Sequence, residues 1–199
     1  MNNLFTITGF RRYFANTSWL IAEKIIRLAV GLFVGVWVAR FLGPEQFGTL
    51  SYAQAFVGLF GAFATLGMDG IVIKHLVKDD ENRDLLLGTA FTLKLLGAMV
   101  ALVIIGIVTV STSNDNKDII IITIIASALV FQSLNVIDFY FQSKVLSRYI
   151  VLVNLISQLI ASLIRIALIL TNAPLIAFAY VILFDAVILA VGYIYVYKH

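Results

Sequence analysis

The chain has 199 residues, of which 61% are hydrophobic and 13% charged, with a net charge of +3 and a mean hydropathy of +1.02. Soluble domains carry roughly 45 to 50% apolar residues, so this composition describes a polytopic integral membrane protein. At about 20 residues per crossing, six crossings nearly exhaust the length, and no separate soluble domain is expected. Cysteine is absent, which excludes a disulfide framework, a thiolate metal site and a cysteine nucleophile. The isoelectric point is near 9.2, but the basic residues are spread among loops and membrane helices rather than gathered in a patch. Membrane orientation accounts for them, and no nucleic-acid partner is expected.

Residues 1–16 contain Arg11 and Arg12 after a short mixed segment. Lacking a small-residue cleavage site, they read as an uncleaved, partly amphipathic cytoplasmic lead-in to a bundle over 17–199. The first crossing, Thr17 to Leu42, carries Glu23, Lys24 and Arg27 inside an apolar run. At about 100° per residue Asn16, Glu23, Arg27, Gly31 and Val34 share one stripe, with Lys24 beside it. Charges near a membrane helix centre cost at least about 2.5 to 3.5 kcal/mol each, so this stripe should face protein or water. Gly43-Pro44-Glu45 stops the helix, with proline placed to open a second crossing from about Pro44 to Met68. Ser51, Gln54, Gly58, Gly61 and Thr65 form its small and polar stripe. Plain helix packing accounts for Gly58 and Gly61, whereas Gln54 reads as a cavity residue.

Asp69 to Asp84, mixed in sign, reads as a solvated loop. A third crossing from about Leu85 to Val110 sets Lys94 on a small-residue face with Ala90, Gly97, Ala98 and Ala101. The polar turn Ser111–Asp118 leads to a fourth, about Ile119 to Phe141, in which Ser127, Asn135, Asp138 and Gln142 fall within a narrow arc. After the basic loop Gln142–Arg148, the fifth crossing, Tyr149 to Leu170, aligns Asn154, Gln158, Ala161 and Arg165 on one face. Thr171-Asn172-Ala173-Pro174 turns the chain into a sixth, Leu175 to Tyr197, with Asp185 near its middle.

Alternating the links between two sides puts Arg11, Arg12, Lys74, Lys78, Arg83, Lys144, Arg148 and Lys198 on one side and Arg40 and Lys117 on the other. The positive-inside bias then sets both termini in the cytoplasm. Glu23, Lys24 and Arg27 fall in the cytoplasmic half, Lys94 and Asp185 nearer the middle, and Arg165 toward the outer face. This staggered set of four cations, facing the buried anions Glu23 and Asp185 with Asp138 nearer the interface, suggests a route for an anionic ligand such as a phosphate or pyrophosphate. The alternative is structural pairing, Glu23 with Arg27 and Asp185 with Lys94 or Arg165. Enzyme chemistry and a metal site find little support. His75 and His199 lack triad or ligand partners, and Asp79-Asp80-Glu81 lacks ligand spacing. The glycines of LFGAFATLGMDG are not a nucleotide loop, and no cofactor is expected.

The run Ala39-Arg40-Phe41-Leu42-Gly43-Pro44-Glu45-Gln46-Phe47-Gly48 followed by Tyr52 resembles the first loop and second-helix entry of the polysaccharide biosynthesis and O-antigen flippase (Wzx-like) family. Glu23, Lys24 and Arg27 in the first helix, the segment from Gly67 to Lys74, and Phe141-Gln142 leading to Lys144 and Tyr149 resemble it too. The resemblance covers most of the chain. It implies an all-α fold, a six-helix bundle forming the N-terminal half of a two-bundle exporter of the multidrug, oligosaccharidyl-lipid and polysaccharide superfamily. The implied ligand is an undecaprenyl-pyrophosphate-linked O-antigen or capsule repeat unit, moved across the bacterial inner membrane. Lys24, Arg27, Lys94 and Arg165 are then candidates for the pyrophosphate or an anionic sugar, Asn154 and Gln158 for sugar hydroxyls, and Glu23, Asp138 and Asp185 for ion coupling. A second bundle, a homodimer, polymerase or assembly proteins, and membrane lipid are the expected partners. The alternatives are a cation-coupled multidrug exporter, against which the cationic surplus argues, and a non-transporting scaffold for polysaccharide assembly.

Overall fold

The computed structural model describes residues 7–65, 67–78, 82–112 and 115–198. Asp79-Asp80-Glu81 and His199 lie outside the described residues. The protein is all-helical: α1 (Ile7–Ala64), α2 (Asp69–Lys78), α3 (Arg83–Thr112), α4 (Asn116–Gln132), a 3-10 turn (Ser133–Asn135), α5 (Val136–Ser143), α6 (Ser147–Leu170) and α7 (Leu175–Lys198). Five helical stretches are long and apolar enough to cross a membrane.

The first of these stretches, Asn16–Phe63, has 48 residues. It is broken at Gly43, whose φ of 73° and ψ of 173° belong to a region open essentially to glycine alone. Pro44, which has no N–H to lose, restarts the helix. Two limbs result, and each buries a different stripe in one core: Val34, Val38 and Leu42 from the first, Leu50, Ala53 and Val57 from the second. The first limb runs beside α6 in register. Asn16 Oδ1 accepts from the Ser147 N–H at 2.9 Å and Glu23 Oε1 accepts from Asn154 Nδ2 at 2.8 Å, both across 131 residues of sequence, so the two segments are parallel. The second limb packs on α4, where Gly61 approaches Leu129.

Local chemistry sets the remaining boundaries. Asp115 caps α4 by accepting from the Lys117 N–H at 2.9 Å. Asn172 takes a left-handed φ of 52° after α6, and Pro174 leads directly into α7. The connections collect at two ends. Glu45 and Gln46, Asp115 to Asp118, and Pro174 share one end. At the other, Asn16 meets Ser147, Arg83 donates to Tyr140 Oη at 3.3 Å, and Tyr197 Oη donates to Asp84 at 3.4 Å.

Two expectations are corrected. The segment expected as a solvated loop from Asp69 to Asp84 contains α2, which buries Val72 and Leu76 against Leu87, Ala90, Val136 and Phe139. Its apolar residues recur at four-residue spacing, which outweighs the mixed charge around them. The fourth crossing is interrupted by the 3-10 turn, whose tighter winding rotates the face of α5 relative to α4. Ser127 and Asp138 therefore do not continue one stripe. Ser127 bonds back to the Ile124 carbonyl, while Gln142 Nε2 donates to Asp138 Oδ2 at 3.0 Å.

Candidate functional site

Glu23 is 6% exposed and stands where the first limb of α1 meets α6. Its Oε1 accepts from Asn154 Nδ2 at 2.8 Å and from Arg27 Nη1 at 3.5 Å. Asn154 Oδ1 in turn accepts from Tyr193 Oη at 2.8 Å. One polar chain thus joins α1, α6 and α7 inside apolar sequence. The amide of Asn154 is committed at both ends, which fixes its rotamer, and the carboxylate gains a charge-assisted bond that offsets part of its desolvation. Arg27 closes the chain outward, its side chain 42% exposed against 8% for Glu23. Lys24 is exposed beside it. By the register of α1 and α6, Gln158 lies level with Arg27 and Arg165 level with Val34. Both α6 residues are half-buried on the face that also holds Asn154 and Ala161.

A second polar seam joins α6 to α7. Ser157 Oγ donates to Asp185 Oδ1, and Asp185 is the acid whose charge acts on Arg165. Asp138 lies on α5 and is half-buried. Its Oδ2 is held by Gln142, and Oδ1 is buried without a hydrogen-bond partner among the described residues.

Lys94 stands apart from Arg27 and Arg165. It is 5% exposed, on the buried stripe of α3 with Ala90, Ala98 and Ala101. Its Nζ lies 2.9 Å from Asp69 Oδ1 and 4.3 Å from the centroid of Phe139. The buried ammonium is therefore both paired and stacked, the arrangement that makes its burial tolerable. This revises the charge count made from sequence. Asp69 is the anion beside Lys94, Glu23 pairs with Arg27, Asp185 acts on Arg165, and the cationic surplus of the set contracts to Lys24.

The sequence did not single out Asp69, Ser157 or Tyr193. Ser157 was detectable, since it neighbours Gln158 on a helix whose buried face also takes in Ser147, Asn154, Ala161 and Ser162. Tyr193 gave no signal among the aromatic residues at the end of α7. Gln54, Gly58 and Gly61 on the second limb of α1, with Thr65 just past its end, line a cavity of about 440 Å³, as expected for Gln54.

No curated protein and no solved structure matches the chain. The profile of a family of polysaccharide biosynthesis proteins matches residues 13–199, a range that contains α1 from Tyr13 onward with its Gly43-Pro44 junction and both polar seams. By that match, which takes in nearly the whole bundle, the chain belongs to the polysaccharide biosynthesis protein family.

Proposed function

We propose that the chain translocates lipid-linked oligosaccharide repeat units, built on undecaprenyl pyrophosphate, across the bacterial inner membrane for O-antigen or capsule synthesis, as one half of a two-bundle transporter. In this reading α1 makes two crossings hinged at Gly43, which gives six crossings with both termini in the cytoplasm. Length supports the count, because 48 residues at about 1.5 Å each exceed twice the roughly 30 Å of hydrocarbon. Direction supports it too. Parallel segments are separated by an odd number of crossings, and the second limb of α1, α3 and α4–α5 supply three between the first limb and α6. The links carrying Lys74, Lys78, Arg83, Lys144 and Arg148, and the terminal Lys198, then fall on the cytoplasmic side.

The observation that carries the transport reading is the outward presentation of Lys24 and Arg27 at membrane depth, in register with Gln158 and Arg165. Hydrocarbon opposing those cations would cost at least about 2.5 to 3.5 kcal/mol each. A pyrophosphate headgroup lowers that cost, and arginine matches its oxygens bidentately. A second bundle, or a second copy, provides the opposite wall of the cavity. Glu23, Asp138 and Asp185 are the groups for a coupling ion. One observation favours a second reading, a membrane scaffold for polymerase or assembly proteins: Arg27 and Lys94 already have partners within the chain.

Complementation tests the translocation reading. The chain is expressed in a bacterium lacking its O-antigen flippase, and surface polymer is measured for the wild type, Lys24→Gln, Arg27→Gln and Arg165→Gln. Restored polymer that the substitutions reduce, with insertion unchanged, supports translocation. Normal polymer in all three variants removes the cationic assignment, and no polymer from an inserted wild type points to a half-transporter without its second bundle or to the scaffold.

A further inference from the structure

The groove between the second limb of α1, α4 and α7 is separate from the cationic face. We infer that it binds the hydroxyl-rich sugar portion of the ligand, with Gln54 and Gln132 as its hydrogen-bonding residues. The inference rests on the translocation reading for the ligand's identity alone, not for the binding itself.

The groove has a volume of about 440 Å³, within the range of small-molecule sites. Gln54 and Gly58 line it from α1, Thr65 from the turn that follows, Leu129 and Gln132 from α4, and Ile182 from α7. Gln54 lies ten residues past Pro44, about 15 Å along the helix and so near the middle of the hydrocarbon. Both amides are exposed, and neither has a hydrogen-bond partner among the described residues. A bare amide facing lipid would cost about 4 to 8 kcal/mol on a hydrocarbon transfer scale, so two on one groove call for water or a polar ligand. Each offers donors and an acceptor, matching hydroxyls that both donate and accept.

Charge distinguishes this surface from the face of Lys24, Arg27 and Arg165. At its inner end the groove adjoins a small cavity lined by Lys94 and Ser133, where the ammonium is balanced by Asp69. A locally neutral groove suits a neutral sugar better than a pyrophosphate. Asn154 cannot take this role, because its amide already serves Glu23 and Tyr193. Gly58 leaves the floor open: a Cβ there meets nothing within 4 Å.

The absence of cysteine makes the test direct. Gly58→Cys in the full chain, in membrane vesicles, is treated with a water-soluble maleimide, with Ile107→Cys as a lipid-side control that is 63% exposed in the wild type. The thiol at position 58 is expected to label and the one at 107 to stay unlabelled. Polyprenyl pyrophosphate bearing a saccharide should slow labelling at 58 about tenfold at about ten times its Kd, and the same lipid without sugar should not. Gln54→Leu and Gln132→Leu should each abolish the slowing by the saccharide-bearing lipid, measured against the same variant's own labelling rate without lipid. No labelling at 58, equal protection by both lipids, or protection that survives both leucine substitutions would overturn the inference. Protection without restored surface polymer would keep the sugar groove and leave the chain a half-transporter without its second bundle or a scaffold; polymer without protection would keep translocation and reject the sugar groove.

Discussion

Replacing Asn154 with leucine removes the side chain that bridges Glu23 on α1 to Tyr193 on α7. Two bonds of 2.8 Å are lost. A bond to a charged carboxylate contributes about 1.5 to 3 kcal/mol and a neutral one about 0.5 to 1.5. Glu23 keeps only the 3.5 Å contact to the partly exposed Arg27, which cannot replace a direct bond. Polar contacts between membrane helices average nearer 0.6 kcal/mol, because the unfolded chain in lipid also finds partners. The expected loss is therefore about 2 to 4 kcal/mol if the buried site behaves like a protein interior, and close to 1 if the membrane reference state dominates. Unfolding of the purified chain from mild detergent by titrated dodecyl sulfate, followed by far-UV circular dichroism, measures it. Tyr193→Phe and the double variant complete a cycle that isolates the Asn154–Tyr193 bond, with an expected coupling of about 0.5 to 1.5 kcal/mol. A loss below about 0.5 kcal/mol for Asn154→Leu with additive effects in the cycle would refute the bridge as a stabilising element.

Four further outcomes follow from local geometry and are read by the same unfolding titration. Gly192→Ala builds a Cβ 2.5 Å from Val153 Cγ1 on a stiff, branched side chain, so it should cost about 1 to 3 kcal/mol. Adding Val153→Ala should recover part of that loss, and no recovery would mean that the clash is not its cause. Asp69→Asn leaves the buried Lys94 without its anion and, because the Asp69 side chain is itself 55% exposed, should cost about 1.5 to 3 kcal/mol, while Asp69→Asn with Lys94→Met restores most of it; a double variant no better than the single would reject the pairing. Gly43→Ala, at φ 73° and ψ 173°, should lose about 1 to 3 kcal/mol, and an unchanged midpoint would show that the break needs no glycine. Val145→Gly should gain stability by about 1 kcal/mol, because a branched residue there holds a φ of 59°; a loss would place the cost of glycine's freedom above the strain.

How far the chain can be read without its partners differs from element to element. Hydropathy determined the membrane class, since apolar runs of that length have no other stable setting than lipid or a core too large for 199 residues. Local chemistry determined the break at Gly43-Pro44, the cap at Asp115 and the turn at Pro174, because each depends on the conformational limits of one or two residues. Helical periodicity also set Gln54 on a cavity and Lys94 on a buried face, since both are properties of a single helix.

The identity of each buried charge's partner was decided only by which helices became neighbours. Asp69 reaches Lys94 because α2 folds onto α3 and α5, and the sequence around Asp69 reads as a solvated loop. Asn154 is consumed by Glu23 and Tyr193 because α6 is wedged between the first limb of α1 and α7. A one-dimensional pattern assigns side chains to faces but does not say which faces meet. Desolvation then forces those that meet to find complementary groups, so a cationic set that looks like a free ligand site in sequence becomes, in three dimensions, two pairs within the chain, with Lys24 and the partly exposed Arg27 turned outward.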